Sequence, residues 1–155
     1  MNAKRELYEE LAREARGLLA GERDGVANAA NLAALIWHGL PDLNWAGFYF
    51  VKGGELVLGP FQGRPACVRI AIGTGVCGTA AAGAKTILVP DVHRFPGHIA
   101  CDTASNSELV VPLLAASRVI GVLDLDSPLL SRFDEADAAG IETLARIWVE
   151  ASDRI

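Results

Sequence analysis

Apolar residues recur every three or four positions near both ends of the chain and alternate with polar residues between them. The first pattern predicts helices over residues 4–19 and 24–38, with Asp24 capping the second, and a last helix from the Ser131-Arg-Phe-Asp134 capping box to about residue 152. The second pattern predicts strands over residues 45–52, 55–61, 67–72, 86–92, 107–114 and 119–126, with Pro60 marking the end of the second strand.

Turn signals show how neighbouring strands are joined. Gly53-Gly54 is a two-residue hairpin signal, and a turn near Ser117 separates the last two strands. Hairpins imply antiparallel pairing, so we expect an α+β fold with a central antiparallel sheet of about six strands flanked by helices. If the last two strands form a hairpin that turns at Ser117, the numbers of two residues that face each other across it add up to roughly 234. Glu108 is therefore expected near Asp126. A chain of 155 residues without repeats or linkers predicts one domain, over 1–155.

Composition and charge narrow the class of function. The chain is 51% hydrophobic and 21% charged, which excludes intrinsic disorder. Its formal net charge is −5 and it has no basic patch, so nucleic acid is not an expected partner. No apolar run approaches the roughly 20 residues of a membrane span, and the first residues are charged rather than signal-like. We expect a cytoplasmic protein that does not enter a membrane.

The middle third of the chain holds its cysteines, Cys67, Cys77 and Cys101. Structural disulfides are not expected in a reducing compartment, so these thiols point to chemistry or to metal binding. Cys101 lies in a segment without periodicity, residues 93–106, and long loops of this kind usually carry function. His93 and His98 precede it in this loop, and either can stabilise a thiolate, although His98 is equally well read as a solvated loop residue.

The thiols support more than one interpretation. A nucleophilic thiol that is oxidised to a sulfenic acid condenses readily with a second thiol, which requires Cα atoms within about 7 Å. Three cysteines therefore suit a catalytic pair and one further thiol. Any one of them can also be a small buried hydrophobe. Zinc held by three thiolates and a histidine is a further reading, but the chain has no C-x-x-C pair to support it.

Three acids lie in otherwise apolar strands. Asp124 and Asp126 are two residues apart, so both side chains point to one face of the sheet. Strands disfavour Asp, and a buried acid is costly unless it is paired. Together with Glu108 they form a cluster in which one pKa rises, so that this carboxyl can donate a proton near neutral pH. The cluster can also hold a substrate ammonium. The alternative is that Asp124 and Asp126 simply end their strand at the solvent edge.

Gly73-Thr-Gly-Val-Cys-Gly78 matches the dinucleotide-binding pattern G-x-G-x-x-G and follows a strand. Only one or two helical turns follow before Gly83, and the chain shows no full βαβ unit and no acidic residue at the end of a next strand. We interpret these glycines as a tight turn that lets the backbone approach a ligand closely.

Five segments of the chain form a recognisable set. They are Asn44-Trp-Ala-Gly-Phe-Tyr49, Gly-Pro-Phe-Gln-Gly63 followed by Cys67, Gly-Thr-Gly-Val-Cys-Gly78, Phe95-Pro-Gly-His-Ile-Ala-Cys101, and Ser107-Glu108 through Gly-Val-Leu-Asp-Leu-Asp-Ser127. Together they resemble the free methionine-(R)-sulfoxide reductases, single-domain enzymes with the GAF fold. The similarity extends from about Leu32 to the last helix. All three cysteines and all three acids fall on motif positions.

The resemblance implies a GAF-like domain that reduces free L-methionine-(R)-S-oxide to L-methionine and binds no cofactor or metal. Cys101 is then the nucleophile that attacks the sulfoxide sulfur and becomes a sulfenic acid. Cys67 resolves it as a disulfide, which the external thioredoxin/NADPH system reduces. Cys77 lines the site and is an alternative resolving partner.

The resemblance also assigns the remaining site residues and partners. Glu108, Asp124 and Asp126 bind the polar groups of the substrate and assist protonation of the sulfoxide oxygen. Trp45 and Tyr49 wall the pocket for the S-methyl group, and a homodimer is expected. Two alternatives of another class stay open: a GAF-type sensor of a small ligand or of redox state without turnover, and a zinc-stabilised interaction domain.

Overall fold

The computed structural model describes residues 2–99 and 101–155, and within them the fold is α+β, as predicted. Its helices are α1 (Asn2–Leu19), α2 (Gly25–Gly39), α3 (Gly75–Gly83) and α4 (Glu135–Ala151). Its strands are β1 (Trp45–Lys52), β2 (Glu55–Gly63), β3 (Arg69–Ala71), β4 (Ile87–Val89), β5 (Ser107–Ala115) and β6 (Arg118–Ser127). Each of these helices is too short or too polar to cross a membrane.

The strands form one antiparallel sheet with the order β3-β2-β1-β6-β5-β4. Gly53 and Gly54 have φ angles of 60° and 81°, which suit the tight β1–β2 hairpin that was predicted there. The β5–β6 hairpin turns at Ala116 and Ser117, and its register pairs Glu108 with Asp126. The predicted hairpin register is therefore confirmed, and it fixes where the acids lie.

The two faces of the sheet have different coverings. Helices α2 and α4 cover one face and α1 packs on these two helices, and the resulting core buries alternate residues of β1, β5 and β6, among them Phe48, Leu109 and Leu123. Helix α3 packs on the opposite face, against the residues of the same strands that point the other way, such as Tyr49 and Val122. The large core thus stabilises the sheet from one side, and the smaller layer on the other side is where the candidate site lies.

Three predicted strand boundaries were wrong. The fourth strand ends at Val89 rather than at residue 92, because the backbone forms a 3₁₀ turn over Val92–Arg94. Strand β2 continues past Pro60 to Gly63, because the pairing with β1 is irregular between Gly47 and Tyr49 and a bulge tolerates proline. The third strand begins at Arg69 rather than at Cys67. Cys67 lies in the irregular segment before it, where its carbonyl accepts a hydrogen bond from the Tyr49 hydroxyl at 2.8 Å.

The last helix was predicted to begin with a capping box at Ser131, but the capping box begins at Asp134 and α4 starts at Glu135. Ser131 has a φ of 52°, which an N-cap does not adopt, so Asp134 caps α4 instead. The Asp134 carboxylate accepts from the N–H groups of Ala136 and Asp137, and the Asp137 carboxylate accepts from the Asp134 N–H. This reciprocal pair is the capping box of the helix.

Candidate active site

A disulfide joins Cys67, in the segment before β3, to Cys101, in the loop between β4 and β5. The two Cα atoms are 5.7 Å apart, although 34 residues separate the cysteines in the chain. Both residues are half-buried. Two of the three candidate thiols are therefore bonded to each other, and zinc coordination by all three is excluded in this state.

Cys101 lines a small pocket that lies between α3 and the face of the sheet that α3 covers. Its volume is about 40 Å³, which is room for a few water molecules. The lining includes all the acids and aromatics singled out from the sequence: Trp45, Tyr49, Glu108, Asp124 and Asp126. The structure thus gathers these candidate residues around one cavity, with Cys77 and Cys101.

The three acids occupy the floor of this pocket. Glu108 on β5 and Asp124 on β6 are only 6% and 5% exposed, and Asp126 is partly buried. The Ser105 hydroxyl donates to Asp126 Oδ2 at 3.3 Å. Within the described residues, Oδ1 of Asp124 and Oδ1 of Asp126 are buried without a hydrogen-bond partner. The floor of the pocket therefore carries buried acceptor atoms.

Burial raises the pKa of each of the three carboxyls well above its ordinary value. Mutual repulsion adds to this, because Glu108, Asp124 and Asp126 cannot all carry a charge at such close range without cost. The solvent-edge interpretation of Asp124 is therefore wrong. The cluster retains a proton at a pH where an exposed carboxyl has lost it, so it can act as an acid.

Cys77, near the start of α3, is the free cysteine of the described residues and is buried. Its Sγ lies 4.0 Å from Glu108 Oε2. Burial raises the pKa of this thiol, and the neighbouring Asp124 and Glu108 carboxyls raise it further. Cys77 is therefore held as a thiol rather than a thiolate in this state.

The turn before α3 brings the backbone to the pocket wall, as the glycine pattern predicts. Gly75 lines the pocket and has a φ of 66°, which favours glycine. A Cβ on Gly78 would lie 2.4 Å from the carbonyl oxygen of Ala71, so the turn packs too closely for a side chain there.

Trp45 and Tyr49 lie on the same face of β1, as their spacing predicts, with ring centroids 5.8 Å apart. Trp45 Nε1 donates to the Arg64 carbonyl at 3.2 Å, and the Tyr49 hydroxyl donates to the Cys67 carbonyl. The aromatic wall of the pocket therefore also holds the segment that carries Cys67, a role that the sequence did not indicate.

The two loop histidines have different surroundings. His98 lines the pocket, with Nε2 3.7 Å from Glu108 Oε1, and burial lowers its pKa, which favours the neutral imidazole. His93 is exposed, and its Nε2 lies 3.0 Å from Asn106 Oδ1. Reading His98 as a solvated residue was therefore wrong, because it faces the acid cluster.

Three polar residues of the site were missed by sequence reasoning. Asn44 Nδ2 donates to Ser105 Oγ at 2.9 Å and to Asp102 Oδ2 at 3.0 Å. Ser105 in turn donates a hydrogen bond to Asp126, so this series of hydrogen bonds links the loop that carries Cys101 to the acids. Residues outside helices and strands have no periodicity, and only the position of Asn44 next to Trp45, and of Asp102 and Ser105 between Cys101 and Glu108, could have drawn attention to them.

Comparison with known proteins places this arrangement in a family. The GAF domain family model matches residues 4–147. The chain is 52% identical to the free methionine-R-sulfoxide reductase of Escherichia coli over 141 residues, which cover 91% of this chain and 86% of that one. Identity of this level over nearly the whole chain is evidence of common family.

Solved structures agree. The free methionine-R-sulfoxide reductase of Neisseria meningitidis, solved with its substrate, superposes with a TM-score of 0.92 at 47% identity and covers 96% of this chain and 89% of its own. A Burkholderia vietnamiensis protein named as a GAF sensor is 61% identical, with a TM-score of 0.93 and coverage of 96% and 95%. The chain belongs to the GAF-domain family and, within it, to the free methionine-R-sulfoxide reductases.

Proposed function

We propose that this protein reduces free L-methionine-(R)-sulfoxide to L-methionine, with Cys101 as the nucleophile and Cys67 as the resolving thiol. The observation that carries the proposal is the Cys67–Cys101 disulfide beside a pocket floored by buried acids. The activity named for the Escherichia coli and Neisseria meningitidis relatives supports it.

In the first step the Cys101 thiolate attacks the sulfoxide sulfur. A carboxyl of the acid cluster protonates the oxygen, which then leaves the substrate sulfur and stays on Cys101. Methionine is released, and Cys101 becomes a sulfenic acid. The substrate sulfur is reduced by two electrons and the Cys101 sulfur is oxidised by two. The raised pKa values of Glu108, Asp124 and Asp126 suit this step, because a proton donor has to keep its proton at working pH.

In the second step the Cys67 thiol attacks the sulfenic acid. A disulfide forms and water leaves. The Cα separation of 5.7 Å in the disulfide form is compatible with this product. A dithiol reductase such as thioredoxin, recharged by NADPH, then reduces the disulfide and returns both thiols. Cys77 lines the same pocket and is a second candidate for the resolving thiol.

The pocket chemistry suits a free amino acid. Its wall contains neither Lys nor Arg among the described residues, while Glu108, Asp124 and Asp126 supply negative charge for a substrate ammonium. Trp45 and Tyr49 supply an apolar wall of suitable size for the S-methyl group. A peptide-bound sulfoxide has no free ammonium at this position, so the acids would remain uncompensated.

The disulfide ties the wall of the pocket together, because Cys101 lines the pocket and is bonded to Cys67 in the segment before β3. We infer that reduction of the disulfide releases the loop around Cys101 and opens the pocket. A homodimer in the cytoplasm, where thioredoxin is available, completes the proposal.

Single-turnover chemistry tests the assignment of the two cysteines. Reduced protein freed of excess dithiol is mixed with free methionine-(R)-sulfoxide, and methionine and sulfenic acid are quantified. Wild type is expected to give about one methionine per chain together with the disulfide. Cys67→Ser is expected to give methionine and a trappable sulfenic acid, and Cys101→Ser neither. Full methionine production by a folded Cys101→Ser variant contradicts the proposal.

A ligand-sensing module is the second candidate, because the Burkholderia vietnamiensis relative is named as a GAF sensor. It predicts tight binding of a small molecule to the reduced protein without release of a product. Turnover of sulfoxide in the experiment above distinguishes the two.

A further inference from the structure

The two ends of the disulfide lie in unlike surroundings. Cys101 lines the pocket together with the three acids, and the described wall of this pocket contains neither Lys nor Arg. Cys67 is not part of that described wall. It lies in the irregular segment before β3, between the exposed residues Arg64 and Val68. A thiol that approaches from another molecule therefore meets different chemistry at the two sulfurs.

Charge favours attack on the Cys67 sulfur. The attacking species in thiol–disulfide exchange is a thiolate, and the rate depends on which sulfur it attacks and on access to that sulfur. Arg64 and Arg69 are exposed on either side of Cys67 in the chain, although Arg69 also lies 3.6 Å from a Glu55 carboxylate oxygen. The pocket beside Cys101 offers an anion only carboxyls, which repel it wherever they are ionised.

The pocket acids suit Cys101 as the sulfur that leaves. Attack on Cys67 breaks the S–S bond and releases Cys101 as a thiolate inside the pocket. Because burial raises the pKa of the Glu108, Asp124 and Asp126 carboxyls, the acid cluster retains a proton that it can give to this thiolate. Attack on Cys101 would instead release Cys67, which is not part of the described pocket wall.

The surface next to Cys67 suits a protein partner. Val68 is 60% exposed and Ile72 is 39% exposed, and these apolar side chains lie at the two ends of β3. Strand β3 is the last strand of the sheet on this side, so its outer edge can pair with an extended segment of another chain. The β3 edge surface, formed by Arg64, Val68, Arg69 and Ile72, thus combines apolar contact area with positive charge.

We propose that a thioredoxin-type dithiol reductase docks on the β3 edge surface and attacks the Cys67 sulfur. Its thiolate forms a mixed disulfide with Cys67, and Cys101 leaves and takes a proton from the acid cluster. The second thiol of the reductase then attacks the mixed disulfide and gives up its proton, and Cys67 leaves as a thiol. The disulfide gains two electrons, and the reductase loses two as its own disulfide forms. This inference rests on the proposed function, whose cycle requires that the disulfide be reduced.

Trapping of the mixed disulfide tests which sulfur is attacked. Oxidised protein, without any sulfoxide, is mixed with a thioredoxin whose second active-site cysteine is replaced by serine, and acid stops the reaction. Proteolysis and mass spectrometry then identify the linked peptides. We expect thioredoxin to be bonded to Cys67 and Cys101 to be a free thiol. Thioredoxin bonded to Cys101, or no adduct, overturns the proposal.

Two serine variants test the docking surface. Val68 and Leu130 are both 60% exposed, but Leu130 lies in the segment between β6 and α4. Val68→Ser is expected to slow reduction by limiting thioredoxin about tenfold, as loss of an apolar anchor does at a protein interface. Dithiothreitol needs no docking surface and should reduce this variant as fast as wild type. Leu130→Ser should match wild type with both reductants.

The outcomes separate docking from catalysis, because both experiments start from the disulfide and contain no sulfoxide. Equal thioredoxin rates for the Val68→Ser and Leu130→Ser variants overturn the docking surface, as does equal slowing of Val68→Ser with dithiothreitol. A protein that forms the Cys67 adduct but turns over no sulfoxide contradicts the proposed function alone. Sulfoxide turnover sustained by dithiothreitol, without a thioredoxin adduct on Cys67, contradicts this inference alone.

Discussion

Asp124 is a buried carboxyl on a central strand whose Oδ1 has no partner within the described residues. Burial is the main cause of its raised pKa, and the nearby Glu108 carboxyl raises the pKa further. A residue in this position costs folding free energy, and such costs are typical of functional sites.

Asp124→Asn is expected to stabilise the protein at neutral pH by about 1–2 kcal/mol, because a neutral amide avoids the cost of a buried charge. Since the pKa is raised on folding, the folded state keeps a proton that the unfolded state has lost. The penalty is therefore absent below the unfolded pKa of about 4 and grows as the pH rises towards the folded value. Thermal unfolding of both proteins from about pH 4 to 8 measures the difference. The Asp124→Asn variant is also expected to reduce the sulfoxide more slowly than wild type. If this variant is no more stable than wild type at neutral pH, the proposed cost of burying Asp124 is contradicted.

The Tyr49 hydroxyl is expected to position Cys67 for resolution. Tyr49→Phe keeps the aromatic wall but removes the 2.8 Å hydrogen bond to the Cys67 carbonyl. We expect methionine release at the wild-type rate, but slower disulfide formation and more trappable sulfenic acid in a single turnover. Tyr8→Phe is the matched control, because it removes the chain's other tyrosine hydroxyl from the opposite face of the sheet. Equal sulfenic acid yields in the two variants argue against a positioning role.

At the scale of single residues, the sequence predicts the position of site residues on strands, where side chains alternate with a period of two. It does not predict the position of site residues in loops. The strand period of two and the turn near Ser117 were enough to bring Asp124, Asp126 and Glu108 together. The contact of His98 with Glu108 depends on how the loop folds back, which no local pattern specifies.

At the scale of elements, Asp137 on α4 connects that helix to α1. Its side chain is fully buried and accepts hydrogen bonds from the Tyr8 hydroxyl at 2.7 Å and Lys4 Nζ at 2.8 Å. Arg132 Nη1 lies 3.4 Å away, and the Asp134 N–H completes the set at 2.9 Å. One carboxylate on α4 thus satisfies donors from α1, from the segment before α4 and from the capping box.

Asp137→Ala is expected to lower the free energy of unfolding by about 3–5 kcal/mol, because it leaves buried donors and a cation without their partner. Urea denaturation measures this loss. Glu135→Ala, an exposed acid in the same first turn, is expected to cost well under about 1 kcal/mol. Equal losses in the two variants would show that the buried network is not what holds the helices together.

The loop over residues 93–106, which carries Cys101, is the element expected to move. Hydrogen exchange of residues 93–106 is expected to be faster in the reduced protein than in the disulfide form, since reduction removes the link to Cys67. Helix α4 serves as the internal reference and should exchange alike in both forms. Identical protection of the loop in both redox states contradicts the proposed opening.

Element types were predictable, whereas their ends were less so. Proline at position 60 ordinarily ends a strand, but a bulge absorbs it, and that bulge depends on the partner strand. The capping box moved from Ser131 to Asp134 because the backbone at Ser131 is left-handed, a property that the motif spacing does not show.

At the scale of the whole molecule, the sheet separates structure from chemistry. Three helices build the large core on one face, and the other face carries the pocket, the disulfide and Cys77. The hairpins were predictable because a turn marks each one. The central pairing of β1 with β6 was not, since it joins strands far apart in the chain.

The central claim is that this arrangement catalyses reduction of a free amino-acid sulfoxide. The most direct test is NADPH oxidation coupled through thioredoxin and its reductase, with free methionine-(R)-sulfoxide, its S epimer and a peptide-bound R sulfoxide as separate substrates. The account predicts turnover with the free R form alone. No turnover with any of the three by folded, reduced protein contradicts it and favours a ligand-sensing module.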